Sequence, residues 1–222
     1  MKFGEILKWV LLAWMTVVIW AAFMYVPAAD KFIGESSRIV FFHVPTAWVA
    51  VLAFLVSCIT SVMYLRRRDP KDDIRAAVSA GLGLMFAVLA TVTGAIFARI
   101  MWGAYWNWDP RQTSIVILLL IYGAYFALRG AIPDPERRAA LAAVYAILAF
   151  VTVPFLVFVV PRIYWSLHPD SLINTRGTNE FDSRHTQVLM ASLAGFTGLS
   201  VWLYTIGCRV EMIRQRRQQE EL

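Results

Sequence analysis

An all-α membrane protein with six transmembrane helices is predicted by three features of this sequence. Of the 222 residues, 59% are apolar and only 16% are charged, and the mean hydropathy is +0.59. The apolar residues fall in six stretches, most of them long enough to cross about 30 Å of hydrocarbon as a helix. None of the six shows the short alternation of a membrane barrel strand, and in lipid the backbone must satisfy its own hydrogen bonds, so spans of this length are helices.

The first stretch, Ile6 to Tyr25, carries Trp9, Trp14 and Trp20 behind Lys2. Its length, its tryptophans and the absence of a small-x-small site at its end argue against a cleaved secretory leader. The others are Phe42 to Leu65, Ile74 to Phe97, Ser114 to Leu128, Ala139 to Val160 and Gln187 to Ile206. The fourth is the shortest and is expected to begin inside the aromatic motif that precedes it. The fifth contains Pro154, and the RQRRQQEEL ending reads as a solvated helical tail. Asp69-Pro70, Asp109-Pro110 and Asp134-Pro135 each open a helix, because aspartate caps orphan amides and proline suits the first turn. Gln112, three residues after Asp109, also fits a capping box. With no internal repeat and no long linker, residues 1–222 are expected to form a single six-helix domain.

Orientation follows from Lys and Arg, which cytoplasmic loops keep in excess. The N-terminus, Arg66 to Arg75, Arg129 to Arg138 and Arg209 to Arg217 hold fourteen, and the remaining connections hold seven. Both termini are therefore expected on the cytoplasmic side. The net charge of +6 is mainly this topology signal, and Arg66 to Arg68 read as a membrane stop rather than a nucleic-acid patch. Cys58 and Cys208 lie in or near separate spans and read as small core residues. There is no CxxC, HExxH or phosphate-binding loop signature, so zinc, nucleophilic and nucleotide chemistry have no support.

The chemistry concentrates elsewhere. Trp102 to Asp109 reads WGAYWNWD, a dense aromatic surface between the third and fourth spans. Such a surface suits a planar apolar ligand better than a phosphate, a sugar or a bare ion. Gly103 within it would permit close approach. His43, His168 and His185 all fall on the same expected outer face. Taken singly, tryptophans there form an interfacial belt and a histidine is an ordinary hydrogen-bonded residue. Taken together, imidazoles and an aromatic shelf on one side of the membrane make a heme site, since neutral imidazole ligates heme iron.

The residues also carry a family resemblance. WGAYWNWDPRQTS, Trp102 to Ser114, resembles the tryptophan-rich WWD signature of the cytochrome c assembly proteins. RIVFFHVPTAW, Arg38 to Trp48, is similar to the segment that supplies one heme-ligating histidine in the heme exporter protein C branch, CcmC. Trp165-Ser166-Leu167-His168 resembles the motif of its second ligand, and six spans is the size of that branch. Related synthetases, CcmF and CcsA, are similar around the motif but longer.

The resemblance implies His43 and His168 as axial ligands of heme b, Trp102, Trp106 and Trp108 as the platform under the porphyrin, and Arg38 and Arg111 as partners of the propionates. Asp109, at the end of the motif, is counted with these cofactor-binding residues. After His168 the chain departs from the pattern, with Pro169-Asp170 in place of Gln-Gly, and His185 remains a competing ligand. The implied role is heme handling in the bacterial cytoplasmic membrane rather than catalysis. Its implied partners are the periplasmic heme chaperone CcmE, the CcmAB transporter subunits, on which any ATP hydrolysis would fall, and the small membrane protein CcmD, all amid membrane lipid and without nucleic acid. Two alternatives remain: a b-type cytochrome, which usually buries its histidines within the spans, and a small-solute transporter, which would show ionisable residues at the midplane.

Overall fold

The computed structural model describes residues 3–28, 34–168 and 182–220. Pro169, Asp170 and Ser171, in the last outer connection, lie outside the described residues. Helix α1 spans Phe3–Trp20 and runs on through a π turn, Ala21–Tyr25. A 3₁₀ turn, Glu35–Ile39, leads into α2, Val40–Arg67. Then come α3, Pro70–Trp102, α4, Pro110–Ala131, and α5, Pro135–Pro154. A second π turn, Phe155–Val159, joins α5 to the short α6, Val160–Ile163, and α7 covers Ser183–Glu220. Six of these helical runs are long and apolar enough to cross a membrane: Glu5–Tyr25, Glu35–Arg67, Pro70–Trp102, Pro110–Ala131, Pro135–Ile163 and Ser183–Arg217.

All three Asp-Pro pairs open helices as expected. Asp69 accepts from the Lys71 amide at 2.9 Å, Asp109 from Arg111 at 2.9 Å and Asp134 from Arg137 at 2.7 Å. The reciprocal half of the capping box at Asp109 is absent. Gln112 reaches past that residue, accepts from the Asn107 amide at 2.8 Å and donates to the Tyr105 carbonyl at 3.3 Å, so it braces the aromatic loop. Gly103 serves a different purpose from close approach. Nothing lies within 4 Å of where its Cβ would be, and its φ of 77° makes it the left-handed cap of α3, its amide donating to Arg99 O at 3.1 Å.

The helices pack through small residues, which let backbones approach where lipid offers no hydrophobic drive for association. On α5 the buried stripe is Ala139, Ala142, Ala143, Ala146 and Ala149. Beneath the middle of the bundle, Phe54 of α2 stacks on Tyr122 of α4 with ring centres 3.6 Å apart, and a Cβ at Gly83 of α3 would overlap the Phe54 ring. Trp14 of α1 donates from its indole to Ala191 O of α7 at 2.9 Å, beside Gly195 and Gly198. Cys58 and Cys208 are both free thiols.

At the end opposite the aromatic loop, Arg129 of α4 makes a two-pronged bond to Asp73 of α3 at 2.6 and 2.9 Å and lies over the Tyr125 ring. Both side chains of this pair are largely buried. Removing one partner strands the other charge, a loss of about 3–5 kcal/mol for buried pairs. Asp73→Ala should therefore lower unfolding stability in detergent by that order, and Asp73→Leu with Arg129→Met should recover most of it in a double-mutant cycle. Neighbouring Asp72 is buried against Arg75 at 2.9 Å, so exposed Lys71 reports orientation better. With Cys58 and Cys208 replaced, Tyr105→Cys should react with an impermeant label outside sealed cells, and Lys71→Cys and Asp134→Cys should not. Labelling of Lys71→Cys alone would reverse the orientation expected from the charge bias.

Candidate functional site

The antiparallel order of the helices brings the ends of α1, α3 and α6 and the starts of α2, α4 and α7 to one end of the bundle. A cleft opens there, walled by α2, α3, α4 and the π turn after Pro154, with about 1050 Å³ of empty space counting its mouth. Its deeper wall is apolar: Ala47, Ala50 and Val51 from α2, Ala87 and Ala90 from α3, Leu118 from α4 and Leu156 and Val157 from the π turn. Its rim is polar and aromatic, with His43, Trp102, Trp106, Asp109, Arg111, Gln112 and His168. Pro154 has a direct part in this wall. It cannot donate a helical hydrogen bond, and the wider π turn that follows carries Leu156 and Val157 into the cleft.

His43 stands one turn into α2. Its Nδ1 lies 3.0 Å from Thr93 Oγ1 of α3, and that hydroxyl donates onward to the Leu89 carbonyl at 2.8 Å. With the hydroxyl hydrogen directed to that carbonyl, Thr93 Oγ1 can accept from Nδ1, an arrangement that would leave the Nε2 lone pair to a metal. Gly94, the next residue, makes room: a Cβ there would stand 3.0 Å from His43 Cε1. The imidazole of His168 faces that of His43 with ring centres 6.2 Å apart and planes inclined by 36°.

Asp109 is 7% exposed and does more than cap α4. The Ser166 hydroxyl lies 2.9 Å from both its carboxylate oxygens, and the Leu167 amide donates to Oδ2 at 2.8 Å. Ser166 Oγ in turn accepts from the His168 amide at 3.1 Å. Trp102 and Trp106 line the cleft, and Phe97 meets Trp102 edge-on at 5.7 Å. Trp108 is not part of the lining. It is 71% exposed, stands perpendicular to Trp106 and has a φ of 57°, so the chain reverses there, turning Trp108 out and Asp109 in. A bulky residue in that left-handed region is a backbone outlier.

Arg111 lines the cleft, whereas Arg38 does not. The Arg38 guanidinium binds the carbonyls of Ala22 and Val26, the latter at 2.9 Å, and closes the end of the π turn of α1. His185 is also elsewhere. It is 4% exposed, packs on Phe41 at 6.0 Å and bonds through Nδ1 to Asp182 at 2.8 Å. The Asp182 carboxylate is held below the usual range, first by the His185 amide and then by the His185 ring. Thr93, Gly94 and Ser166 carry no site signal as residue types, although Ser166 sits inside a motif that the sequence singles out.

Comparison with known proteins decides the family. The family model of heme exporter protein C, CcmC, matches residues 2–222. The chain belongs to the CcmC family. It is 35% identical over 217 residues to the heme exporter protein C of Bradyrhizobium diazoefficiens, covering 96% of this chain and 81% of that protein. The figures for the heme exporter protein C of Rhodobacter capsulatus are 32% over 220 residues, with 96% and 89% covered. For that of Escherichia coli K12 they are 29% over 221 residues, with 96% and 87% covered. Membership extends over the spans, the aromatic loop and both facing histidines, so the cleft belongs to the part of the chain that the CcmC family shares.

Proposed function

We propose that this protein holds heme b at the outer face of the bacterial cytoplasmic membrane, with His43 and His168 as axial ligands, and hands it to the periplasmic heme chaperone CcmE. The observation that carries the reading is the facing imidazole pair. At the length of a zinc–imidazole bond, about 2.0–2.1 Å, an ion between two rings sets their ligating nitrogens about 4 Å apart. A centre-to-centre distance of 6.2 Å leaves that room when both ligating nitrogens are turned onto the line between the ring centres. Among the described residues no three His, Cys, Asp or Glu side chains converge, so the pair suits an iron that brings its own equatorial donors.

The surroundings support the same cargo. Heme supplies four equatorial nitrogens, a large apolar disc and two carboxylates. Trp102 and Trp106 offer aromatic faces and the alanine-lined depth takes apolar edges, while Arg111 at the rim can bind a carboxylate in two-pronged fashion. Filling both axial positions with histidine shuts out dioxygen and makes the protein a carrier rather than an enzyme. Any ATP hydrolysis then falls on the CcmAB subunits, with CcmD as a further partner. The fourteen-to-seven split of Lys and Arg supports an outer position for the aromatic end, where a periplasmic acceptor would meet it.

Absorption spectra of the purified protein, oxidised and reduced, test the reading. The wild type should give a six-coordinate low-spin spectrum. His43→Ala and His168→Ala should lose it or turn five-coordinate, with added imidazole restoring it, and His185→Ala should leave it unchanged. A low-spin signal that survives both of the first two changes and vanishes with His185→Ala would overturn the pairing.

The two lining tryptophans should contribute about 0.5–1.5 kcal/mol each beyond area burial. Trp102→Ala with Trp106→Ala should speed heme loss by roughly tenfold or more on that scale, measured by transfer to an apo-globin scavenger. Trp108→Ala should retain heme at nearly the wild-type rate, because its ring is exposed and not among those lining the cleft. Equal losses from both variants would count against the cleft as the heme site.

A further inference from the structure

The two facing histidines are held by different means. His43 belongs to a continuous helix, and Thr93 and Gly94 of the neighbouring helix fix its ring. His168 follows Tyr164 to Leu167, where the chain has left α6, and Ser166 and Leu167 both bond to one carboxylate, Asp109. We propose that Asp109 is a positioning residue for His168: its carboxylate, acting through Ser166 and Leu167, sets the presentation of that imidazole. This inference rests on His168 ligation as proposed above.

The hydrogen-bond inventory makes the two tasks of Asp109 separable. Its Oδ1 accepts from the Arg111 amide and so caps α4, while Oδ2 accepts from the Leu167 amide, and the Ser166 hydroxyl lies within reach of both. An asparagine has one acceptor oxygen and one amino group. If its oxygen keeps the cap, its amino group confronts the Leu167 amide, donor against donor. In that orientation Asp109→Asn preserves the helix start and the Ser166 bond to Oδ1 and breaks the Leu167 arm of the tie. Among the described residues, a helix N-terminus and a loop supply the donors to the buried aspartate.

Two measurements on the full-length protein in detergent test this. In the ligand-free protein, amide hydrogen exchange is read for Ser166 to His168 and for the first turn of α4. Loss of the Oδ2 acceptor should raise exchange of the Leu167 amide by about tenfold or more in Asp109→Asn. Arg111 to Ser114 should stay as protected as in the wild type. Ser166→Ala should move the loop in the same direction, and Ser166→Thr, which keeps the hydroxyl, should return toward wild type. Unchanged loop exchange in Asp109→Asn would overturn the proposal, as would equal loss of protection in loop and helix, since the residue would then be a cap and nothing more.

The heme-loaded protein gives the second reading. Asp109→Asn should shift part of the low-spin spectrum to five-coordinate, reversed by added imidazole, and speed heme loss about tenfold. Thr93→Val should disturb the spectrum without altering exchange at Ser166 to His168. A low-spin fraction and dissociation rate equal to wild type would overturn the proposal. His168→Ala in the same series keeps the two failures apart. A low-spin spectrum in that variant removes the ligand assignment on which the inference rests, whereas loss of the signal there with no effect of Asp109→Asn removes the positioning role alone.

Discussion

A single buried carboxylate joins the parts of this structure that matter for its site. Asp109 gathers donors from Arg111, two residues away, and from Ser166 and Leu167, 57 and 58 residues away. A carboxylate this far from water is costly unless its lone pairs are met, and among the described residues amides and a hydroxyl meet them. The arrangement requires the aromatic loop to turn sharply just before Asp109. The left-handed backbone at Trp108 supplies that turn, so the most strained residue of the loop and its most connected side chain are adjacent.

The opposite wall of the cleft is built on different physics. Where α2 and α3 run side by side, close approach depends on residues that occupy little space, and Gly83 and Gly94 each admit an aromatic ring from α2. Gly83 takes Phe54, whose stack on Tyr122 lies below the cleft. Gly94, further along the same helix, takes His43. One packing rule thus serves both the core and the site, and rigidity comes with it, because a ring wedged against a helix backbone has few rotamers left. The cleft therefore pairs a histidine set in a helix interface with one hung from a loop.

The sequence disclosed the scaffold more fully than the site. Apolar length marked the six spans, the three Asp-Pro pairs marked helix starts, and antiparallel order alone carried His43, His168 and the aromatic loop to one end of the bundle. What period and motif could not reveal was direction. Trp106 and Trp108 are chemically equivalent in the sequence, yet one positive φ turns the second ring out to solvent. Arg38 and Arg111 looked alike as cations near the boundary, but Arg38 is taken up by carbonyls that the π turn at the end of α1 leaves free, and such a turn has no sequence signature. Gln112 stood at capping-box spacing and went instead to the loop. Thr93 and Ser166 act through partners 50 and 57 residues distant, which no local pattern encodes.

The position of the cleft at the bundle end follows from the same backbone accounting that makes the spans helical. In the hydrocarbon every amide must stay inside its helix, which leaves few polar groups to recognise a ligand. At helix ends the first amides and the last carbonyls are free by construction, so capping side chains and loops can accept from the amides and arginines can donate to the carbonyls. From Arg111 to Leu118 one face of α4 changes from polar rim to apolar floor within seven residues, about 10 Å at the helical rise. A cargo with a flat apolar body and a carboxylate edge, as proposed for this cleft, has the same gradient. Moving the site one turn deeper would strand its carboxylates, and moving it outward would expose its apolar face, so the helix ends beside Asp109 are where both requirements meet.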